Sequence, residues 1–358
     1  MAPACEEEHV DFFSQFKHGQ KTTASKNFIG LTQNGPKSTT TTFDDRDDIP
    51  LIKSPDQNCE KVCRDMVAAS NKWGFFKLVD HGVPSEIVEN MKARLNEMFD
   101  LPMEEKLKGA RSATMPLGYC TTNPDYGKNL PWAEILQLLQ SPQQVLGFAK
   151  KVFGDQHQPF SEAMVEYMEA LDKLGMTIME MLANGLGLQS DFFTKNFEEK
   201  DSTMIRINKY PPCPLPEKCL GVGSHTDPHT LTILLADNVG GLQVLKDDNQ
   251  WVGIRPIPNS FVINIGDTLE AWTNGRLKSV IHRAVVNKEK SRLSIAYFLS
   301  PALSTIIDSP PELLEDPNTD PPINRKYVPF TWADFRKELL IQKRVIGKTA
   351  LNRYLISP

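Results

Sequence analysis

The spacing of apolar residues changes twice along the chain and divides it into stretches of different texture. Residues 1–47 hold no sustained hydrophobic period. Gln33 to Thr42 is polar with a Gly-Pro step and Asp44 to Asp48 is a charge run, so this part reads as a flexible N-terminal segment. From 48 to 200 the pattern is mixed. It predicts a short strand at Ile49–Ile52, a helix over 56–73 with Val62, Met66 and Ala69 on one face, a strand at Trp73–Val79 and a helix over 84–99. Residues 101–150 are less regular, turn-rich from Thr114 to Tyr126, with a strand expected over Leu130–Leu138. Between Ser161 and Leu182, Met164, Met168, Leu171, Ile178 and Met181 follow helical spacing, which marks a long core helix rather than a cofactor box.

Past residue 202 the apolar runs shorten and Gly, Asn and Asp punctuate them. Strands are expected at Met204–Lys209, Leu231–Ala236, Leu242–Leu245, Trp251–Ile254, Phe261–Ile265, Leu269–Thr273, Val280–Val285 and Leu293–Leu299. The tail returns to helix, with Thr331 as N-cap and Asp334 three residues on. The fold class read from this is mainly β with flanking helices. A double-stranded β-helix (jelly-roll) core over 201–303 follows a helical and mixed region over 48–200 and precedes a C-terminal helical extension over 304–358.

Composition narrows the partners. A net charge of −5 over 358 residues argues against nucleic acid, which needs a basic face, and gives no pull toward anionic membranes. The cysteines at 5, 59, 63, 120, 213 and 219 read as free thiols, and Cys59 with Cys63 lacks a second pair for a zinc site. The start is acidic and has no apolar stretch of a secretory signal, and no apolar run nears the roughly 20 residues of a bilayer span. A monomer in the cytoplasm, acting on a small molecule, is the expectation.

Three residues carry the chemistry. His225 and Asp227 are two apart, so on a strand or at its exit both side chains point one way; His282 comes 54 intervening residues later. Two imidazoles and a carboxylate form a facial set for Fe(II) that leaves positions open for cosubstrate and O2. A His-x-Asp alone is more often a surface hydrogen-bonded pair, and an Arg in a strand more often a surface charge. Ten residues past His282, however, Arg292 and Ser294 alternate with Leu293, Ile295 and Tyr297, so they share one strand face. A guanidinium and a hydroxyl there suit a dicarboxylate such as 2-oxoglutarate, with Tyr210 a third contact.

The segments Asn208-Lys-Tyr210-Pro-Pro-Cys-Pro214, His225-Thr-Asp227, Gly240-Gly-Leu-Gln-Val244, Asn264-Ile-Gly-Asp267, His282-Arg283 and Arg292-Leu-Ser294 together resemble the plant 2-oxoglutarate- and Fe(II)-dependent dioxygenases. Trp73-Gly-Phe-Phe76 and Asp80-His-Gly-Val83 extend the likeness over about residues 48–303. The resemblance implies that His225, Asp227 and His282 bind Fe(II), and that Arg292 and Ser294, with Tyr210 and Asn208, hold 2-oxoglutarate. Ascorbate would support activity. Substrate would be hydroxylated or desaturated with release of succinate and CO2. His81 and Cys213 fall on motif positions and read as structural.

Within that family, Ile254 to Pro258, Phe261 to Thr268 and Leu130-Pro-Trp-Ala-Glu134 look most like gibberellin oxidases of the 20-oxidase type, with Ala133 where that type has Lys. Phe298, Tyr119, Trp132, Glu134 and His229 are the expected substrate contacts, and the helix near Trp332 and Phe335 the expected cover. A gibberellin or related diterpenoid is the leading substrate class. A flavonoid, coumarin or alkaloid, or a non-catalytic small-molecule binding role, are the alternatives; a peptide hydroxylase and a zinc hydrolase fit less of the pattern.

Overall fold

The computed structural model describes residues 49–53, 59–112, 116–121, 131–247, 249–314, 325–341 and 350–356. The expected flexible segment 1–47 lies outside them, as do parts of the turn-rich stretch 114–126. In chain order the elements are β1 (Leu51–Lys53), α1 (Glu60–Lys72), β2 (Phe75–Val79), α2 (Ser85–Asp100), α3 (Met103–Leu107), β3 (Tyr119–Cys120), β4 (Glu134–Leu139), α4 (Pro142–Phe153) and α5 (Gln158–Gly185). There follow β5 (Met204–Tyr210), β6 (Leu220–His225), β7 (Leu231–Ala236), β8 (Leu242–Leu245), β9 (Trp251–Gly253), β10 (Phe261–Ile265) and α6 (Asp267–Trp272). The last are β11 (His282–Val285), β12 (Arg292–Leu299), β13 (Ile306–Ile307), β14 (Phe330–Thr331) and α7 (Trp332–Ile341).

Two sheets face each other. One has eight strands in the order β1-β2-β10-β7-β12-β5-β4-β3, the other four in the order β6-β11-β8-β9. This is the jelly-roll core that the strand pattern predicts, with helices against the outer face of the larger sheet.

The period of two decides which residues meet the helices and which meet the interior. On β12, Leu293, Ile295, Tyr297 and Leu299 join the helical core cluster. Arg292, Ser294, Ala296 and Phe298 point the other way, between the sheets. On β5 the split is Ile205 and Ile207 outward, and Met204, Arg206, Asn208 and Tyr210 inward, in register with β12.

Against the outer face lies α5, which buries Phe160, Met164, Leu171, Leu174, Ile178 and Leu182. Burial of each such side chain stabilises by roughly 2–3 kcal/mol relative to exposure. Gly175 lets the helix approach the sheet: a Cβ there would stand 3.3 Å from a Leu299 methyl. The Met-rich stripe is therefore core, as its spacing predicts. At Gly74, φ is +66° and a Cβ would overlap the Lys278 carbonyl oxygen, so the step from α1 into β2 requires glycine.

Several expectations are corrected. Leu269–Thr273 is not a strand but lies in and just beyond α6. Leu269-Glu-Ala-Trp-Thr273 is too short to declare a period, and the polar residues of α6, Asp267, Thr268 and Glu270, are buried against internal partners and so mark no solvent face. The irregular stretch 101–150 holds two helices, α3 and α4. The second has a readable start in Ser141, whose hydroxyl caps Gln144 N, and in Pro142 at the first turn. Thr331 opens α7 as expected, accepting from Asp334 N at 3.1 Å and donating to the Asp334 carboxylate at 2.6 Å.

Candidate metal centre and carboxylate site

His225 ends β6 and His282 begins β11, and the two residues are direct cross-strand partners. Their rings lie 4.3 Å apart. Asp227 follows just past the strand end. One donor atom from each of the three lies within 4.8 Å of the others. Neighbouring strands thus bring together ligands far apart in sequence, and a short exit turn adds the carboxylate.

The hydrogen bonds fix which atoms face the shared point. His225 Nδ1 lies 2.8 Å from the Gly223 carbonyl oxygen, and His282 Nδ1 lies 3.1 Å from that of Val280. A carbonyl only accepts, so each Nδ1 carries a proton and Nε2 is the ring nitrogen left to face a metal. Both Nε2 atoms point at Asp227 Oδ1, at 3.4 and 3.6 Å. The contacts gather three potential ligand atoms around one point.

Asp227 Oδ2 is occupied by the Thr232 hydroxyl at 2.6 Å and the Asn264 amide at 2.8 Å, which leaves Oδ1 to the centre. Burial pushes the Asp227 carboxyl up, but the two imidazoles and the Thr232 hydroxyl outweigh it and hold the group well below the usual range. Burial, reinforced by repulsion from His225, lowers His282 to about 4. At neutral pH the set is therefore one anion with the His282 imidazole uncharged, the state a divalent cation needs. The edge of Phe75 lies against His282, ring centroids 5.3 Å apart, and limits its rotation.

A second carboxylate grips both ligand-bearing segments. Asp267 Oδ2 accepts from the Thr226 hydroxyl at 3.1 Å, and Oδ1 from the Ser279 hydroxyl at 2.7 Å. Its backbone N donates to the Asp227 carbonyl at 2.7 Å. Thr232, Asn264 and Asp267 had no role in the sequence reading. Asn264 and Asp267 were visible there as parts of a motif, but a Thr inside a strand gives no such signal.

Arg292 and Ser294 lie on the inner face of β12, each 2% exposed. Arg292 Cζ sits 4.8 Å from the centre of the Tyr210 ring, and the Tyr210 hydroxyl and the Asn208 amide both lie 3.4 Å from Ser294 Oγ. Arg292 Nε is buried without a hydrogen-bond partner among the described residues. An orphaned guanidinium nitrogen beside a hydroxyl and a phenol fits a carboxylate. Gly241 keeps the approach narrow, since a Cβ there would meet the Arg292 side chain at 3.4 Å.

The expected substrate contacts separate into groups. Phe298 and His229 stack at 4.7 Å, and Trp332 of α7 stands 5.7 Å from His229. His229 Nδ1 also lies 2.7 Å from Ser300 Oγ, so this ring is held. Trp132 is buried with Tyr210 and Cys213 and donates from Nε1 to the Pro211 carbonyl at 3.0 Å. Tyr119 and Glu134 are not among the groups facing the space between the sheets. Their cross-strand neighbours Leu136 and Lys209 place them on the outer side, where the Tyr119 hydroxyl and Lys106 Nζ both bond Glu134 Oε2. Glu134 is therefore a buried carboxylate held by Lys106 and Tyr119 rather than a group open to substrate.

A family model described as the 2OG-Fe(II) oxygenase superfamily matches residues 202–301, and one described as non-haem dioxygenase in morphine synthesis N-terminal matches residues 48–159. Gibberellin 20 oxidase 1 of Arabidopsis thaliana is 40% identical over 299 residues, covering 80% of this chain and 78% of that one. Among solved structures, JOX2 in complex with 2OG, Fe and JA is 32% identical with a TM-score of 0.73, covering 90% of this chain and 96% of that one. A rice dioxygenase for auxin oxidation is 29% identical with a TM-score of 0.72, covering 86% and 100%.

Proposed function

We propose, for a chain that belongs to the 2OG-Fe(II) oxygenase superfamily and is a non-haem iron dioxygenase, that His225, Asp227 and His282 hold the Fe(II) and that Arg292 and Ser294 hold 2-oxoglutarate. The observation that carries this reading is the pair of fixed tautomers, which aim both Nε2 atoms at the free oxygen of Asp227. The chemistry that metal and cosubstrate supply when bound is oxidative: one atom of O2 goes to 2-oxoglutarate, which leaves as succinate and CO2, and the other to a substrate C–H bond or to water when the product is an alkene.

The residues divide the remaining work. Thr232 and Asn264 hold Asp227 so that Oδ1 alone faces the metal. Arg292, with Ser294, Tyr210 and Asn208 beside it, binds the far carboxylate of 2-oxoglutarate and so sets where the near end lies. Phe298, stacked on His229 and backed by Trp332, offers substrate an apolar wall and excludes water. Trp132 lines the same reading less directly, through its contact with Tyr210.

The substrate is a small hydrophobic plant metabolite, a gibberellin or related diterpenoid first. The likeness to gibberellin 20 oxidases supports this. A specialised metabolite is the second reading, favoured by Ala133, which is fully buried where the 20-oxidase pattern has a cation. The same proposal takes the protein to act as a monomer in the cytoplasm, away from nucleic acid. Its negative net charge supports the last point, and no helix among the described residues is long and apolar enough to cross a membrane.

The test is anaerobic loading with Fe(II), then O2, 2-oxoglutarate and ascorbate with gibberellin precursors, other terpenoids, flavonoids, coumarins and alkaloids. Succinate and substrate mass are followed together. Coupled oxidation that His225→Ala abolishes supports the reading. Turnover that survives His225→Ala, or wild-type protein that neither binds nor consumes 2-oxoglutarate, sinks it.

A further inference from the structure

Arg206 is the one inward-facing charge of β5, and the roles above leave it unused. It stands on the interior face between Met204 and Asn208 and is 5% exposed. Its Nε donates to Asn208 Oδ1 at 2.9 Å, a neutral acceptor. Its Nη2 is buried with no hydrogen-bond partner among the described residues. A guanidinium cannot shed its charge near neutral pH, so burial without an anion is costly, and such a group calls for one.

The small neighbour on one side leaves an anion space there, in reach of the metal centre. Arg206 has the neutral, buried Gln137 on one side and on the other Ala296, the smallest inward side chain available short of glycine, with Leu234 beyond it. The next row of the same face runs Met204, Phe298, Thr232, Asn264, and its last two members hold Asp227. With strands about 4.8 Å apart, β5 lies roughly 10 Å from β7, the strand that carries Thr232. Arg206 is thus one row from the metal's own support. Arg292 lies at the other end of the same pair of strands, with its own hydroxyl and phenol.

We infer that Arg206 is a second carboxylate-binding residue, which takes the acid group of the substrate and so makes the preferred substrates apolar carboxylic acids. This rests on the dioxygenase reading above and goes beyond it by fixing the substrate's polar end. The planar fork would hold the carboxylate while Phe298 and Ala296 contact the apolar body, so the acid end sets which carbon faces the iron. The same chemistry could come from the carboxylate of 2-oxoglutarate, and the measurement separates the two.

Protein loaded with Mn(II) and 2-oxoglutarate without O2 is titrated calorimetrically with a gibberellin precursor, indole-3-acetate and simple aryl acids, each as free acid and as methyl ester. At least one acid is expected to bind roughly tenfold or more tighter than its ester. Arg206→Met should erase that difference and Arg206→Lys keep part of it. Both variants should leave the affinity for 2-oxoglutarate within about twofold of wild type. Arg206→Gln replaces the Met variant if the latter does not fold. Equal binding of acid and ester, an acid preference that survives Arg206→Met, or no acid bound at all overturns the inference. So does a selective loss of 2-oxoglutarate affinity, which assigns the group to the cosubstrate. Failure of the underlying reading looks different, since wild-type protein would then bind no 2-oxoglutarate.

Discussion

The Thr232 hydroxyl does for Asp227 what no metal ligand can do for itself: it occupies Oδ2 at 2.6 Å and keeps the carboxylate from turning. Thr232→Val removes that hydroxyl at constant shape. Metal affinity is expected to fall about 10–100-fold, the range for second partners of metal ligands, with the melting temperature of the metal-free protein little changed. Competitive Mn(II) titration reads the first and calorimetry the second. His81 gives a different residue-scale outcome. Its Nδ1 accepts from Val83 N at 3.2 Å and its ring rests on Phe261 at 4.5 Å. Burial lowers its pKa from the usual 6.5, against a smaller upward pull from the Asn259 backbone and Asp80. The unfolded chain therefore takes up the proton first as pH falls. Stability is full above about 6.5 and is lost as pH drops through the folded value, so His81→Gln should melt with a smaller difference between about pH 7.5 and about pH 5 than wild type. The structural reading of His81 fits this turn contact with Val83. The clustering of His225, Asp227 and His282 and the shared face of Arg292 and Ser294 were legible because their spacing has a meaning on strands. Tyr119 and Glu134 were misplaced because the side of a sheet a strand end faces depends on its partner, β4 for Tyr119 and β5 for Glu134, and sequence does not print the partner.

α6 follows the Asp227 turn so closely that a Cβ on Gly266 would overlap the His229 carbonyl oxygen. Gly266→Ala is expected to destabilise the protein by more than about 2 kcal/mol, in the upper part of the ordinary single-site range, and to weaken the metal site together with the fold, since the turn cannot yield without moving Asp227. Gly147 is the control. It lies exposed in α4 with nothing near its Cβ position, so Gly147→Ala should stabilise by about 0.5–1 kcal/mol in chemical unfolding. The two outcomes together separate a glycine required by close approach from one that is merely tolerated. Long elements were legible: α5 and β12 repeat their period often enough to declare it. α4 had a signal, Ser-Pro followed by Val145, Phe148, Ala149 and Val152 at helical spacing, that the surrounding turn residues obscured. α6 had none, because six residues are too few to declare a period and its polar residues Asp267, Thr268 and Glu270 are buried rather than on a solvent face.

Across the molecule, the C-terminal helix is tied to the start of the core. Trp332 Nε1 donates to Ser202 Oγ at 3.0 Å, and its ring stands beside His229 and Phe335. Trp332→Ala is expected to cost about 3–5 kcal/mol and to raise the substrate KM while leaving Mn(II) affinity near wild type. Equal losses in both would mean that the helix supports the metal centre rather than the substrate wall. The gross architecture was legible from texture alone, but the distribution of twelve strands between two sheets was not, because it follows from long-range pairing. One pairing has a consequence for the protein's life outside catalysis. His225 and His282 face each other across β6 and β11 in the smaller sheet, where the register slips next to His282. A bound cation is then a crosslink between those strands at their weakest place. Withdrawal of iron should speed amide hydrogen exchange in β6 and β11 well before it does so in β12, and expose that wall to proteases first. Iron supply would in this way set not only how fast each molecule works but how long it lasts.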